Sequence, residues 1–165
     1  MPTNQMSTIT VYLALGTNLG DRPGNLRAAI AALPPAVIVQ KQSFIYETVP
    51  WGVIDQPSFL NMVILGKTLQ KPQELLKNLK ELETHLGRIR SIQYGPRKID
   101  IDILFYNDLI FDSPELTLPH PHLHERAFVL VPLGDLAPEK IHPIMRKTIR
   151  QLLANVDITG VKRYG

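Results

Sequence analysis

The sequence contains no cysteine, which excludes disulfides and thiolate metal sites. It also lacks any apolar run of membrane-spanning length, so no transmembrane helix is expected. The first residues, Met1 to Thr8, are polar and show no signal-peptide core. A cytoplasmic protein is therefore the expectation. There is a single tryptophan and no internal repeat, low-complexity tract or interdomain linker. Charge of one sign is nearly absent in excess: the formal net charge is +3. That mild basic balance suits an anionic ligand but is too sparse for the basic stripe of a nucleic-acid binder. The 165 residues, 44% of them hydrophobic, suffice for one domain with a real core, spanning 1–165 with flexible tails expected at 1–8 and 160–165.

The most informative stretch runs from Tyr94 to Phe105, YGPRKIDIDILF. As a strand, its period of two puts Ile99, Ile101 and Ile103 on one face and Asp100 with Asp102 on the other. Two carboxylates one pleat apart repel, and Asp is disfavoured in strands. A divalent metal or nearby arginines must offset them. Four cations, Arg88, Arg90, Arg97 and Lys98, fall within the eleven residues 88–98. Guanidinium forks select phosphate oxygens, and cations beside paired carboxylates suit Mg²⁺ with a polyphosphate.

Around this stretch the chain reads as alternating elements. Residues 9–15 predict a buried strand, Gly16 to Asp21 a turn with Asp21 capping a helix, and Leu26, Ile30 and Leu33 the buried stripe of that helix. The Gly16–Asp21 turn reads as a tight strand-to-helix connection, since no phosphate-loop signature is completed. A second β-branched run covers 36–48. Val49 to Pro57 fits no periodicity and holds Trp51; a binding loop and a plain surface loop are equally compatible with it. Phe59 to Leu69 is a strand. Pro72 to Leu86 is the clearest helix, stopped by Gly87, with Glu83 at the edge of its leucine stripe. His120, His122 and His124 raise a zinc question, but Pro121 and Arg126 constrain that segment and favour a phosphate-facing histidine. Ala127 to Leu133 is an apolar segment, and a last helix near Arg146–Leu153 precedes a polar tail. The order β, α, β, β, α, β, with extra C-terminal elements, predicts an α+β fold with a mainly antiparallel sheet, of the ferredoxin-like βαββαβ type.

Five segments taken together, LALGTNLGD (13–21), QPSFLN (56–61), Gly87-Arg88, GPRKIDIDIL (95–104) and LPHP (118–121), resemble the 6-hydroxymethyl-7,8-dihydropterin pyrophosphokinases of folate synthesis. The resemblance covers the chain from about residue 9 to the last helix. It implies transfer of pyrophosphate from ATP to the pterin hydroxymethyl group, with AMP released and two Mg²⁺ ions required. By position, Asp100 and Asp102 would bind both metals. Arg88 and Arg97 would clamp phosphates, His120 would contact the transferring group, and Arg126 would lie near the triphosphate. Glu83 and Ile103 would belong to the nucleotide side. Pterin would stack between Phe59 and Phe128, with Asn61 on its edge and Thr48, Val49, Pro50 and Trp51 reading its remaining polar atoms. Asp100 would also approach the pterin. The loop between Arg90 and Tyr94 is shorter than in well-known bacterial members. Ser91 stands where they often carry a lysine, Tyr94 where they carry tryptophan, and Pro121 replaces a tyrosine found in some members, which bears on that loop's phosphate and stacking contacts. Small-molecule substrates and other folate-pathway enzymes are the expected partners, without nucleic acid or membrane.

Overall fold

The computed structural model describes residues 7–48, 57–87 and 98–165. Strand β1 (Ile9–Thr17) leads through the glycine turn into α1 (Arg22–Ala32). The Asp21 carboxylate accepts the Gly24 N–H at 3.1 Å, the cap expected of it. The next run divides into β2 (Ile38–Gln42) and β3 (Tyr46–Thr48), both paired with β4 (Phe59–Thr68). Pro72 opens α2 (Pro72–His85), and Gly87 follows it at φ 92°, a left-handed conformation that ends the helix cheaply only for glycine. Strand β5 (Asp100–Tyr106) follows, then the short pair β6 (Phe111–Asp112) and β7 (Thr117–Leu118). The apolar segment after Arg126 is helical, α3 (Ala127–Leu136). The last helix, α4 (Ile149–Leu153), is shorter than expected because Arg146 takes a positive φ and Thr148 starts the helix with a capping box.

The main sheet runs β5-β1-β4-β3 and ends on β8 (Val161–Arg163), with antiparallel pairing throughout. Strands β2 and β3 act as one broken strand. The core order is therefore that of the split βαβ pattern, and the fold is the ferredoxin-like α+β arrangement. The stretch after α4, polar enough to read as a tail, pairs with β3 instead and extends the sheet. Backbone pairing at a sheet edge needs no apolar side chains, which is why composition hid it.

Two cores flank the sheet. Val11, Leu13, Leu15, Leu60, Met62, Ile64, Ile99, Ile101 and Ile103 face Leu26 and Ala29 of α1, its C-cap Leu33, and Leu75 and Leu79 of α2. On the other face Tyr12, Val63, Leu104 and Phe105 meet Val129, Leu130 and Leu133 of α3 and Ile149 and Leu152 of α4. The added C-terminal helices thus cover the face that α1 and α2 leave open, but only in part. No helix among the described residues is long and apolar enough to cross a membrane.

Candidate active site

The part of that second face not packed against α3 and α4 carries the polar residues. Asp100 and Asp102 stand on it, both half-buried, while Ile99, Ile101 and Ile103 point into the opposite core. A bulge sits just beyond them: Tyr12 pairs with Phe105 but Leu13 with Ile103, leaving Leu104 as the extra residue. The bulge lets Leu104 and Phe105 both join the α3 side, so the strand passes from carboxylates to packed core within one turn of the pleat. The carbonyl of Leu104 accepts the His120 N–H at 2.9 Å, which docks the histidine loop beside the carboxylate strand.

Register places the remaining residues. Gly16 of β1 pairs with Asn61 on one side and Asp100 on the other, and Ala14 pairs with Val63 and Asp102. Asn61, Gly16 and Asp100 form one row, so Asn61 and Asp100 lie two strand spacings, about 10 Å, apart. The small residues between them keep the floor low. A Cβ on Gly16 would stand 2.9 Å from Asn61 Oδ1 and 3.8 Å from the Phe59 ring, so both side chains lean over the glycine. Asn61 Nδ2 donates to Thr48 Oγ1 at 2.7 Å, a buried bond that orients the amide and joins β4 to the last residue of β3. The carbonyl oxygen of Asn61 is thereby turned toward Gly16.

Both flanks of residues 49–56 are tied down. Thr48 is held by Asn61; after the segment, Asn18 Nδ2 donates to the Pro57 carbonyl at 3.0 Å and Arg22 to the Ser58 carbonyl at 2.9 Å. The glycine turn before α1 is tied internally as well. Asn25 Nδ2 donates to the Leu19 carbonyl at 2.7 Å and to Thr17 Oγ1 at 3.1 Å, in keeping with a tight connection. The flanks of 88–97 also meet: a Cβ on Gly87 would lie 3.3 Å from the Lys98 side chain. Val49, Pro50, Trp51, Arg88, Arg90, Ser91, Tyr94 and Arg97 lie outside the described residues.

His120 has a defined tautomer. Its Nδ1 accepts the His122 N–H at 3.1 Å, so the neutral ring carries its proton on Nε2. Burial, followed by the positive charges of Arg126 and His122, pushes its pKa down to about 4. The result is a neutral donor at ordinary pH. The His122 ring stands edge-on to it at 6.1 Å between centroids, but the histidines have different polar partners. His122 Nδ1 contacts Glu125 at 2.7 Å, and His124 faces His142 edge-on at 6.4 Å between centroids. His142 Nδ1 instead accepts the N–H groups of Ile144 and Met145, closing a turn. Among the described residues no three histidine or carboxylate side chains are grouped to hold an ion.

Arg126 is the N-cap of α3 and its guanidinium lies 5.7 Å from the centroid of the half-buried Phe128 ring. Two expected positions differ in environment. Glu83 is not at the edge of the α2 stripe but within it, fully buried after Leu75 and Leu79 at successive turns, with the Lys80 ammonium 3.0 Å away. A carboxylate removed from water requires such a cation. Ile103 is 3% exposed and packs in the α1/α2 core. The strand period turns its side chain away from Asp102, so only its main chain, on the end strand of the sheet, is left to meet a nucleotide.

Gly16, which by sequence opens a turn, lies inside β1. Its place as the low, side-chain-free step between Asn61 and Asp100 appears only once three strands are in register. A strand-interior glycine, a known sign of close approach, was the available signal.

A family model described as 7,8-dihydro-6-hydroxymethylpterin-pyrophosphokinase (HPPK) matches residues 12–138. The chain belongs to this family. It is 44% identical over 142 residues to a 2-amino-4-hydroxy-6-hydroxymethyldihydropteridine pyrophosphokinase of Aquifex aeolicus, covering 86% of this chain and 89% of that protein. The Bacillus subtilis protein of the same name is 46% identical over 130 residues, 78% of each. A folic acid synthesis protein of Dictyostelium discoideum is 42% identical over 150 residues, 91% of this chain, but the match spans only 23% of its length. Among solved structures, a Plasmodium falciparum HPPK-DHPS chain superposes with a TM-score of 0.79 at 20% identity, over 98% of this chain and 50% of that one. At that identity the superposition speaks for the fold alone.

Proposed function

We propose that residues 1–165, acting as one domain, transfer pyrophosphate from ATP to the hydroxymethyl group of 6-hydroxymethyl-7,8-dihydropterin, giving AMP and the pterin diphosphate. Membership of the family supports the reaction. The observation that carries the site assignment is the single row Asn61–Gly16–Asp100, in which an amide and a carboxylate stand on the same sheet face with only a glycine between them.

The acceptor end of the site is made by Asn61, Thr48, Phe59 and Phe128. Asn61 and Thr48 present oriented polar atoms to the edge of a flat heterocycle, and the two rings supply stacking faces. Val49, Pro50 and Trp51, following Thr48, are assigned to its remaining polar atoms. The ATP end is made by Arg88, Arg97, His120 and Arg126, with Glu83 and the main chain of Ile103 on the nucleotide side. Its His120 Nε2–H remains a neutral hydrogen-bond donor to a phosphoryl oxygen, and the guanidinium groups balance charge that spreads over the transferring group.

Asp100 and Asp102 fit Mg²⁺. They are hard oxygen donors on one face, half-exposed, set opposite Gly16 and Ala14 so that no bulky side chain stands between them and the acceptor floor. We assign two ions to this pair; when bound, Mg²⁺ neutralises polyphosphate charge and polarises phosphoryl oxygens. The contribution of the protein is then alignment of the two substrates in line and fixed charge at the phosphates. Pyrophosphoryl transfer belongs in the cytoplasm on this reading, with other folate-pathway enzymes as partners. The decisive experiment measures AMP release from ATP with and without the pterin, at several Mg²⁺ concentrations. AMP formation strictly dependent on both is expected; its absence in the complete mixture would refute the assignment.

A further inference from the structure

Strand β3 has three residues, too few to hold a fixed position by ladder bonds alone, yet it ends on Thr48 at the edge of the site. Three other elements besides β4 restrain it. On its outer edge β8 pairs Tyr46 with Arg163, Glu47 with Lys162 and Thr48 with Val161. Beneath it, toward α1, Glu47 Oε2 accepts from Arg22 at 2.7 Å. On the site face, the Tyr46 hydroxyl lies 3.0 and 2.9 Å from the two Asp135 oxygens, and the Phe44 N–H donates to Asp135 Oδ2 at 3.2 Å.

Asp135 is seven residues after Phe128 in α3, two turns along the same helix face. It also occupies the last turn, where the helix dipole disfavours a carboxylate. Its placement there is explained by what it accepts rather than by helix stability. Tyr46 in turn is the cross-strand partner of Asn61, which donates to Thr48 two residues further along β3. Asp135 therefore links the helix carrying one ring of the pterin slot to the strands carrying the amide reader and Thr48. A flat heterocycle stacked on both sides needs its walls about 7 Å apart, two van der Waals contacts. Burial and the Asp135 carboxylate push the Tyr46 hydroxyl up to about 12, so it stays a donor across the working range.

We propose that Asp135 is a positioning residue for the pterin slot, fixing the distance between α3 and the β3–β4 pair through Tyr46 and the Phe44 amide. This rests on the pterin assignment above. Asp135 touches no reacting atom on this view, so its loss should act on one substrate only.

The test compares wild type with Asp135→Ala, Asp135→Asn and Tyr46→Phe, measuring KM for pterin and for ATP separately. Loss of both charge-assisted bonds, each near the surface, predicts a rise of about fivefold in the pterin KM for Asp135→Ala, with the ATP KM unchanged. Asp135→Asn keeps one acceptor oxygen and should recover part of the effect; Tyr46→Phe should also be intermediate. In parallel, the side-chain amide protons of Asn61 are followed by NMR without substrates. In Asp135→Ala they should shift and exchange faster as the Thr48 bond loosens. An unchanged pterin KM in an active enzyme, an equal rise in both KM values, or unaltered Asn61 resonances would each overturn the proposal. A wild-type protein that releases no AMP would refute the pyrophosphokinase reading instead, and the substrate-free Asn61 resonances would still decide the role of Asp135.

Discussion

The two faces of one sheet are built from the same strands and do different work. Toward α1 and α2, every inward position of β1, β4 and β5 from Leu60 to Ile64 and Ile99 to Ile103 is apolar and closed to solvent. Toward α3 and α4, the same strands divide. Tyr12, Val63, Leu104 and Phe105 are packed in that core, while Phe59, Asn61, Asp100 and Asp102 lie on the same face outside it. The covering helices are short and set at one end, and the boundary coincides with the Leu104 bulge. One face therefore concentrates stability. The other trades part of its packing for polar groups that would be costly if buried without partners.

Neighbouring substitutions on β5 test that division most sharply. Asp100→Asn and Asp102→Asn should each lower AMP release by about a thousandfold, roughly 4 kcal/mol in the barrier. Thermal unfolding should shift far less than for a core truncation, because each change is isosteric and the side chains are half-exposed. Near-normal turnover in either variant would remove the carboxylates from the site. Ile101→Ala, between them but on the other face, should do the opposite. It should cost about 2–4 kcal/mol in denaturant unfolding and leave the turnover of the folded fraction largely intact.

Gly16→Ala probes the floor between the two ends of the site. The added Cβ would come within 2.9 Å of Asn61 Oδ1 and displace it, so the pterin KM should rise about tenfold with little change in the ATP KM. Equal binding of both substrates in this variant would separate Asn61 from pterin recognition.

The histidine loop gives a pH signature. His120 is lowered to about 4 in the fold, while the unfolded chain takes up a proton near the ordinary value of 6.5. The unfolded state then binds more protons between these limits. The stability due to neutral His120 is complete above about pH 6.5 and is lost as the pH falls toward 4. His120→Gln should flatten this acid limb in a pH series of unfolding curves. A limb unchanged by the substitution would place its origin elsewhere. The smallest effect belongs to the covered half: Thr148→Ala removes the α4 capping box and should cost about 1 kcal/mol in stability without altering either KM.

Much of the architecture could be read in advance because it depends on local rules. The leucine stripe of α2, its opening proline and closing glycine follow from helix period and backbone freedom. The segment Ala127–Leu133 did not announce itself as a helix, since it is apolar on all sides and contains Pro132. Burial between the sheet and α4 decided its form. The polar residues 161–163 gave no sign of joining the sheet, because an edge strand is held by its backbone. Glu83 looked like an edge residue by charge alone, but its spacing from Leu75 and Leu79 was already that of a buried position.

What the sequence by itself determined is the side-chain alternation of 99–103, hence two aspartates together on one face and three isoleucines on the other. It also carried the motifs that place the chain in its family. The tertiary structure decided which residues meet those aspartates. Asn61 faces Asp100 across Gly16 because β1 lies between β4 and β5 in one particular register. Asp135 reaches Tyr46 because α3 packs on that side of the sheet. These relations span up to 89 residues of chain, and no local propensity encodes them. They arise from strand register and helix packing, which are set by burying both cores at once.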